Sequence, residues 1–224
     1  MLFRSEWLPL DTEIAAALDS LVSRLGRIGC RIKTAQPDAL GDHREHYAFY
    51  LTLLAAVTSA RLPAEQRGAR LDVMRTRDDE WSQALQRGIA SGAPDFVAWG
   101  AQRERYRVAW RAFFREWDVL LAPAFFVPAY PHWDKPWPET PASIARTLDV
   151  NGKPELEELG LVYPSVATLA GQPATAFPAG LTRGGLPIGL QAIGPYLEDR
   201  TPIRFAALTA REFGGFTRPP SYAG

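Results

Sequence analysis

The amino-acid sequence predicts an α/β fold, a mixed β-sheet flanked by helices, in a single domain that spans residues 1–224. Three observations carry this prediction. A helical pattern leads into a short alternating segment near residue 30, an uninterrupted apolar run follows a long helix near residue 119, and two strand-like segments precede a last helix. Helices that alternate with short strands are typical of layered α/β domains.

The first predicted helix covers residues 11–25. Asp11 can accept hydrogen bonds from the first turn, and Glu13 suits the positive end of the helix dipole. The apolar side chains recur at helical spacing: Ile14, Leu18, Leu21, Val22 and Leu25. Residues 30–33 then alternate apolar and charged side chains, which predicts a short strand.

Further helices are predicted at residues 43–61, at residues 64–88 as one or two short surface helices, and at residues 95–117. Asp95 is expected to cap the last of these. That helix mixes aromatic side chains with arginines, a composition also found on nucleic-acid-binding surfaces. Because the formal net charge is +0, we expect a core helix whose arginines face solvent, and no nucleic-acid partner.

A buried strand and a proline-rich loop are predicted next. Residues 119–122 form a short apolar run, as in a strand buried on both faces. Prolines exclude helix and central strand at residues 124–140, and so long a loop is often functional, for example as the lining of a pocket. The remaining predicted elements are a turn at 149–152, a helix at 164–171, strands at 174–178 and 186–193, and a helix at 202–213 capped by Asp199 or Thr201.

The composition and the apolar segments of the chain indicate its cellular compartment. The longest apolar stretch, residues 47–60, is shorter than the ~20 residues that cross a bilayer, and the N-terminus has no signal-peptide pattern. Cys30 is the only cysteine, so an intramolecular disulfide is excluded and a reducing compartment is indicated. We expect a cytoplasmic protein with no membrane partner.

Four sequence blocks follow one another in the last third of the chain. They are Leu-Ala-Gly-Gln-Pro-Ala at 169–174, Phe-Pro-Ala-Gly at 177–180, Gly-Leu-Pro-Ile-Gly-Leu-Gln at 185–191, and Gly194 with Glu198-Asp199. This series resembles the C-terminal segment of the amidase signature family, whose members hydrolyse carboxylic amides or transfer the ammonia released. The resemblance implies a partial amidase-signature fold and a reaction without metal or organic cofactor.

The family's catalytic lysine, its two serines and its Gly/Ser-rich loop lie upstream of the resembling segment. A serine hydroxyl attacks an amide only when a base removes its proton and preorganised donors hold the oxyanion. No serine here has a Gly-Ser-Ser-Gly context, and Lys33, Lys135 and Lys153 have charged or proline-rich neighbours that do not favour loss of charge. The sequence therefore predicts no catalytic residue in this chain.

Two other chemistries have weaker support. His43 and His46 lie one helical turn apart, but a metal site needs further ligands and His132 belongs to the proline-rich loop. We expect a solvated helix start and no metal. Cys30 has no base nearby in sequence, so we expect a small, buried, unreactive side chain.

Six residues are predicted to line a substrate site: Tyr163, Ser165, Thr168, Trp133, Trp137 and Gln191. The first three precede the Leu-Ala-Gly turn, which the family places near its cleft. The two tryptophans offer large apolar faces to an acyl group. Thr168 stands where the family often has asparagine, which changes any substrate contact there. Ordinary packing is the alternative for each residue.

The resemblance implies the C-terminal portion of an enzyme that converts an amide and water into a carboxylate and ammonia or an amine. We expect this portion to be inactive alone and to meet its small amide substrate only with the N-terminal half. The alternative is a stand-alone, non-catalytic binding or assembly module that pairs with a separate N-terminal chain. A third hypothesis is an independent hydrolase with a relocated nucleophile. A chain that holds only the C-terminal portion of the fold has an incomplete sheet with an unpaired edge strand. We therefore expect it to form a homo-oligomer or to bind a complementing chain.

Overall fold

A three-stranded sheet forms the centre of the computed structural model, which describes residues 1–134, 136 and 138–218. The strands are β1 (Leu120–Pro123), β4 (Ala174–Leu181) and β5 (Pro187–Ile193), with β5 in the middle and antiparallel to both neighbours. Leu2 adds single parallel bridges to Thr34 and Leu121, so both kinds of pairing occur. Helices cover the sheet, and the predicted α/β fold is confirmed.

The first half of the chain is almost entirely helical, and the second half contains both helices and strands. The first half holds α1 (Thr12–Arg27), α2 (His43–Ser59), α3 (Ala64–Met74), α4 (Glu80–Ile89) and α5 (Ala93–Phe113), with a 3₁₀ turn at Asp38–Leu40. The second half adds α6 (Pro141–Ile144), a hairpin of β2 (Thr147–Val150) and β3 (Lys153–Leu156), a 3₁₀ segment at Glu157–Leu161, α7 (Val162–Thr168) and α8 (Arg200–Phe213). None of the helices in this described part of the chain is both long and apolar enough to cross a bilayer.

Alternating side chains of the sheet belong to two hydrophobic cores. Ile188 and Leu190 of β5 join the apolar stripe of α1 and the inner side of α8. Ile193 belongs to the other core, with Tyr47 of α2 and Trp110 of α5. All of β1 is buried, which confirms the strand predicted to be covered on both faces.

The helix caps show how far local sequence determines these elements. The Asp11 carboxylate accepts hydrogen bonds from the backbone of Glu13 at 2.8 Å and Ile14 at 3.3 Å, as predicted. The predicted cap at Asp95 is wrong, because α5 begins two residues earlier with Gly92 as its N-cap. The Asp95 carboxylate, in the first turn of α5, instead accepts a hydrogen bond from the Gly92 backbone N–H at 2.9 Å and so stabilises that turn.

Two further local predictions are wrong. Residues 30–33 form no strand: pairing there is limited to Thr34, and Cys30 is exposed rather than buried. The β2–β3 hairpin was not predicted beyond its turn, where Asn151 and Gly152 have φ of 56° and 84°. Two successive left-handed residues match the right-handed twist of a hairpin, so this turn forces its flanks to pair.

The outer edge of β4 has no strand partner within the described residues. Pro178 and a bulge between Pro178 and Gly180 interrupt its regular ladder. Most β4 side chains are exposed or half-buried. This edge therefore presents backbone donors and acceptors at the surface.

Candidate functional site

A cavity of about 290 Å³ lies between α2, α3, the region of α6 and the 3₁₀ segment Glu157–Leu161. An apolar cavity of about 150 Å³ is enough to hold a benzene ring. Its hydrophobic lining comes from distant parts of the chain: Leu51, Leu54, Met74, Phe125, Ile144 and Leu161. The cavity therefore has the size and lining of a site for a small organic group.

Charged side chains border this cavity as ion pairs. The pairs are Arg70–Glu139 at 2.8 Å, Arg77–Glu158 at 2.9 Å and Arg146–Glu157 at 3.3 Å. The Arg70 and Glu139 side chains are only 15% and 10% exposed, so both charges are largely withdrawn from water. Opposite charges held this way compensate part of each other's desolvation.

Arg146 joins the cavity to the proline-rich loop. Its guanidinium lies over the Trp133 ring at 4.2 Å and near the Tyr130 ring at 5.4 Å. Trp133, one of the predicted site residues, is 37% exposed and contacts Arg146, which lines the cavity. Trp137, predicted beside it, lies outside the described residues. The substrate contact of both tryptophans stays a prediction.

Tyr163 and Ser165 are fully buried on α7. The Tyr163 hydroxyl accepts a hydrogen bond from the Ser5 backbone at 3.3 Å, and burial raises its pKa to about 12. The Ser165 hydroxyl donates to the Val162 carbonyl at 2.7 Å. Both side chains thus fix α7, which continues directly from Leu161 in the cavity wall. Their direct contact with a substrate stays a prediction.

Gln191 connects three elements. Its side-chain amide donates to the carbonyl of Pro123 at 2.9 Å and to that of Tyr163 at 3.0 Å, and the residue is 6% exposed. It therefore ties β5 to the end of β1 and to α7. Thr168 is exposed at the C-terminal end of α7, where its hydroxyl donates to the Pro164 carbonyl at 2.8 Å.

Two arginines of α5 stabilise the end of α7. Arg103 donates to the Leu169 carbonyl at 2.6 Å and Arg107 to the Ala170 carbonyl at 3.0 Å. The last carbonyls of a helix lack partners within the helix, so these bonds complete them. The prediction that the α5 arginines face solvent is therefore wrong for these two. Their four-residue spacing, which places both on one helix face, was the available signal.

The histidines at the start of α2 are buried, which contradicts the predicted solvated position. His43 is 3% and His46 is 0% exposed. Phe3 and Trp7 cover His43 at ring distances of 5.0 and 5.5 Å. Burial lowers the pKa of His43 to about 4 and that of His46 to about 3. Both rings are therefore neutral near pH 7, inside an aromatic core.

Several serine hydroxyls donate to nearby backbone carbonyls, and the buried Ser82 hydroxyl donates to the Asp79 carboxylate at 2.9 Å. Ser91 donates to the Gly88 carbonyl at 2.7 Å and Ser143 to the Thr140 carbonyl at 2.9 Å. No hydrogen bond between a lysine amine and a serine hydroxyl occurs within residues 1–134, 136 and 138–218. The described part of the chain thus offers a cavity wall and no assembled serine nucleophile.

The chain is similar to known proteins over most of its length. The family model described as Amidase matches residues 2–202. The 6-aminohexanoate-cyclic-dimer hydrolase of Pseudomonas sp. (strain NK87) is 27% identical over 88% of this chain and 40% of that relative. The 6-aminohexanoate-cyclic-dimer hydrolase of Paenarthrobacter ureafaciens is 26% identical over the same shares, 88% of this chain and 40% of that relative.

Solved structures show the same fold. A 6-aminohexanoate cyclic dimer hydrolase complexed with substrate has a TM-score of 0.66 at 20% identity and covers 98% of this chain and 46% of its own. A bacterial aryl acylamidase of the amidase signature family has a TM-score of 0.65 at 17% identity and covers 95% and 43%. The chain spans less than half the length of these proteins. It belongs to the amidase family, the amidase-signature enzymes.

Proposed function

We propose that this chain acts as the C-terminal portion of an amidase-signature hydrolase. The complete site converts an amide and water into a carboxylate and ammonia or an amine. This chain contributes the core of the fold and the wall of the acyl cavity between α2 and the proline-rich loop. The lysine, the two serines and the oxyanion loop come from the portion of the relatives that this chain does not span.

The match to only 40% of the curated hydrolase is the observation that carries this proposal. Hydrolysis of an amide requires a deprotonated nucleophile and an oxyanion site. Ser91, Ser143 and Ser165 donate to backbone carbonyls instead, and Ser82 donates to the carboxylate that caps α4. The cavity supplies binding and orientation, which catalyse hydrolysis only next to a reacting group.

The unpaired edge of β4 supports the need for a further portion. An additional strand would satisfy its backbone groups and cover its exposed side chains. The edge favours two arrangements equally: an N-terminal portion on the same polypeptide, or a separate chain that makes this one a non-catalytic assembly module. Both place the missing strand at the same surface.

The isolated chain of 224 residues is expected to show no turnover of a neutral aryl amide such as nitroacetanilide and no labelling by a fluorophosphonate serine probe. The physical reason is that a serine needs a free base and an oxyanion site, whereas the carboxylate next to Ser82, that of Asp79, already caps α4 and pairs with Arg77 at 2.8 Å. Release of nitroaniline and in-gel fluorescence are the measurements. Turnover that co-purifies with the chain and disappears after serine labelling would point to a relocated nucleophile and contradict the proposal.

A further inference from the structure

An open groove of about 660 Å³ lies between the end of α2, the end of α4 and the start of α5. It shares no described lining residue with the cavity of the candidate site. We infer that this groove is a docking site for an acidic amphipathic helix of another protein chain. The inference concerns a surface outside the candidate site and does not depend on the proposed function.

Large apolar side chains are exposed around the groove. Val57 of α2 is 59% exposed, and Phe96 and Val97 of α5 are 51% and 75% exposed. Single exposed apolar residues are common on protein surfaces, but a group of them around one concave surface is typical of a binding site. Ile89, which is buried, belongs to the same lining, so the apolar surface continues inward from the rim.

The exposure of these walls favours a macromolecular partner. Pockets for small molecules enclose roughly 70–90% of the ligand surface. Val57, Phe96 and Val97 are themselves more than half exposed, so they cannot enclose a small molecule in this way. Trp110, in the last turn, is the buried residue of α5, all of which the structure describes, and the first turns of this helix are therefore uncovered. The partner must be large enough to cover the groove from outside.

The secondary structure of the walls favours a helix over an added strand. The walls belong mainly to α2, α4 and α5, whose interior backbone groups bond within each helix. A docking strand needs free backbone donors and acceptors, which these walls do not offer. An amphipathic helix needs no backbone partner and packs its apolar side chains into a groove between helices.

The charged side chains in the described lining are all positive. They are Arg61 and Arg67, which are exposed and form no ion pair with a carboxylate in the described part of the chain. Gly92 and Ala93 also belong to the lining, so the positive end of the α5 dipole lies at the groove. The Asp95 carboxylate accepts from the Gly92 backbone at 2.9 Å and is not part of this lining. A partner with carboxylates beside its apolar face would supply the counter-charges.

These charges disfavour a second copy of this chain as the partner. Two copies related by a two-fold axis place the same surface of each copy in contact. The arginines of both grooves would then lie close together, and like charges across an interface oppose association.

Binding of a model helix to the full chain of 224 residues tests the inference. The probe is a fluorescein-labelled peptide of about 18 residues with leucines on one helical face and glutamates beside them. The comparison peptide has lysines in place of the glutamates. Fluorescence anisotropy is expected to show micromolar binding of the glutamate peptide and at least about tenfold weaker binding of the lysine peptide. Equal binding of the two peptides, or no binding of the glutamate peptide, would overturn the inference.

Charge variants locate the binding surface. Arg61→Gln combined with Arg67→Gln should weaken binding of the glutamate peptide by about tenfold. Arg105→Gln combined with Arg115→Gln is the control for the same change in net charge, because both arginines are exposed and lie outside the lining. Equal affinities of the two double variants would contradict the assigned role of the groove arginines.

An apolar variant tests the other half of the interface. Val97→Gln should weaken binding of the glutamate peptide by about fivefold or more, because it removes an apolar contact without adding charge. Val108→Gln is the matched control, since Val108 is 55% exposed on the same helix and lies outside the lining. The inference fails if both substitutions have the same effect.

Other occupants of the groove would give different results. Binding to phosphatidylglycerol vesicles that disappears in the Arg61→Gln, Arg67→Gln variant would assign the groove to an anionic membrane surface. Self-association that disappears in Val97→Gln, measured by sedimentation, would assign it to a second copy. Either result would overturn the inference. None of these measurements requires amide hydrolysis, so the proposed function can fail without affecting them.

Discussion

The Gly88→Ala variant is expected to lose about 3 kcal/mol of unfolding free energy, the upper end of the usual cost of forcing an extra methyl group into a well-packed core. A Cβ at Gly88 would lie 2.2 Å from the carbonyl oxygen of Thr52, 2.7 Å from the Cβ of Ala55 and 2.9 Å from the nitrogen of Ala56. Two of these three atoms belong to the backbone of α2, so a side-chain rotation cannot relieve the clash. α4 would have to move away from α2.

That displacement would also break a buried hydrogen bond between the two helices. The Thr52 hydroxyl donates to the Ala84 carbonyl at 3.1 Å, one helical turn before Gly88. Urea unfolding followed by tryptophan fluorescence measures the loss. Gly68→Ala in α3 is the matched control, since no atom lies within 4 Å of its Cβ position, and it should gain roughly 0.5–1 kcal/mol. Equal effects of the two substitutions would contradict the close helix contact.

Acidification below pH 6.5 is expected to destabilise the fold through the two buried histidines. Burial lowers the pKa of His43 from 6.5 to about 4 and that of His46 from 6.5 to about 3. Below pH 6.5, both histidines bind protons in the unfolded chain, whereas they stay neutral in the folded chain until the pH is much lower. Stability is full above the unfolded pKa and falls by up to about 1.4 kcal/mol per pH unit for each histidine as the pH decreases.

Unfolding free energies between pH 6.5 and 4.5 test this slope above the range in which most carboxylates titrate. His46→Phe retains an aromatic ring beside Tyr106, which His46 contacts at a ring distance of 5.1 Å, and should reduce the slope by about half. His132→Gln serves as the control for replacement of a histidine at the surface, because the His132 side chain is 87% exposed. An unaltered slope in His46→Phe would show that other groups cause the acid sensitivity.

Elements that depend on neighbouring residues could be predicted from the sequence. The start of α1 follows from Asp11 and the strand β1 from a short apolar run. The burial of His43 could not be predicted, because Phe3 and Trp7, which cover it, lie some 40 residues away. The same holds for Gly88, whose need for a hydrogen side chain arises only when α2 packs against α4.

In the candidate site, too, some features could be predicted from the sequence and others could not. The resemblance in the last third of the chain led us to predict site residues on α7 and at Gln191. The structure shows how Gln191 joins α7 to the sheet. The proline-rich loop was expected to line a pocket, and Phe125, Tyr130 and Glu139 of this loop do line the cavity, but the rest of the cavity was not predicted. Its ion pairs join residues 69 and 81 positions apart, as in Arg70–Glu139 and Arg77–Glu158, and no local pattern reveals such partners.

Reconstitution of amide hydrolysis tests the central claim most directly. The N-terminal portion of the Pseudomonas 6-aminohexanoate-cyclic-dimer hydrolase, cut where its match to this chain begins, would be co-expressed with this chain, with that enzyme's own C-terminal portion as the positive control. Amide turnover is expected from the pair, none from either part alone, and none when the partner's nucleophilic serine is replaced by alanine. Restored activity with the native C-terminal portion but not with this chain, or turnover by this chain alone, would contradict the account.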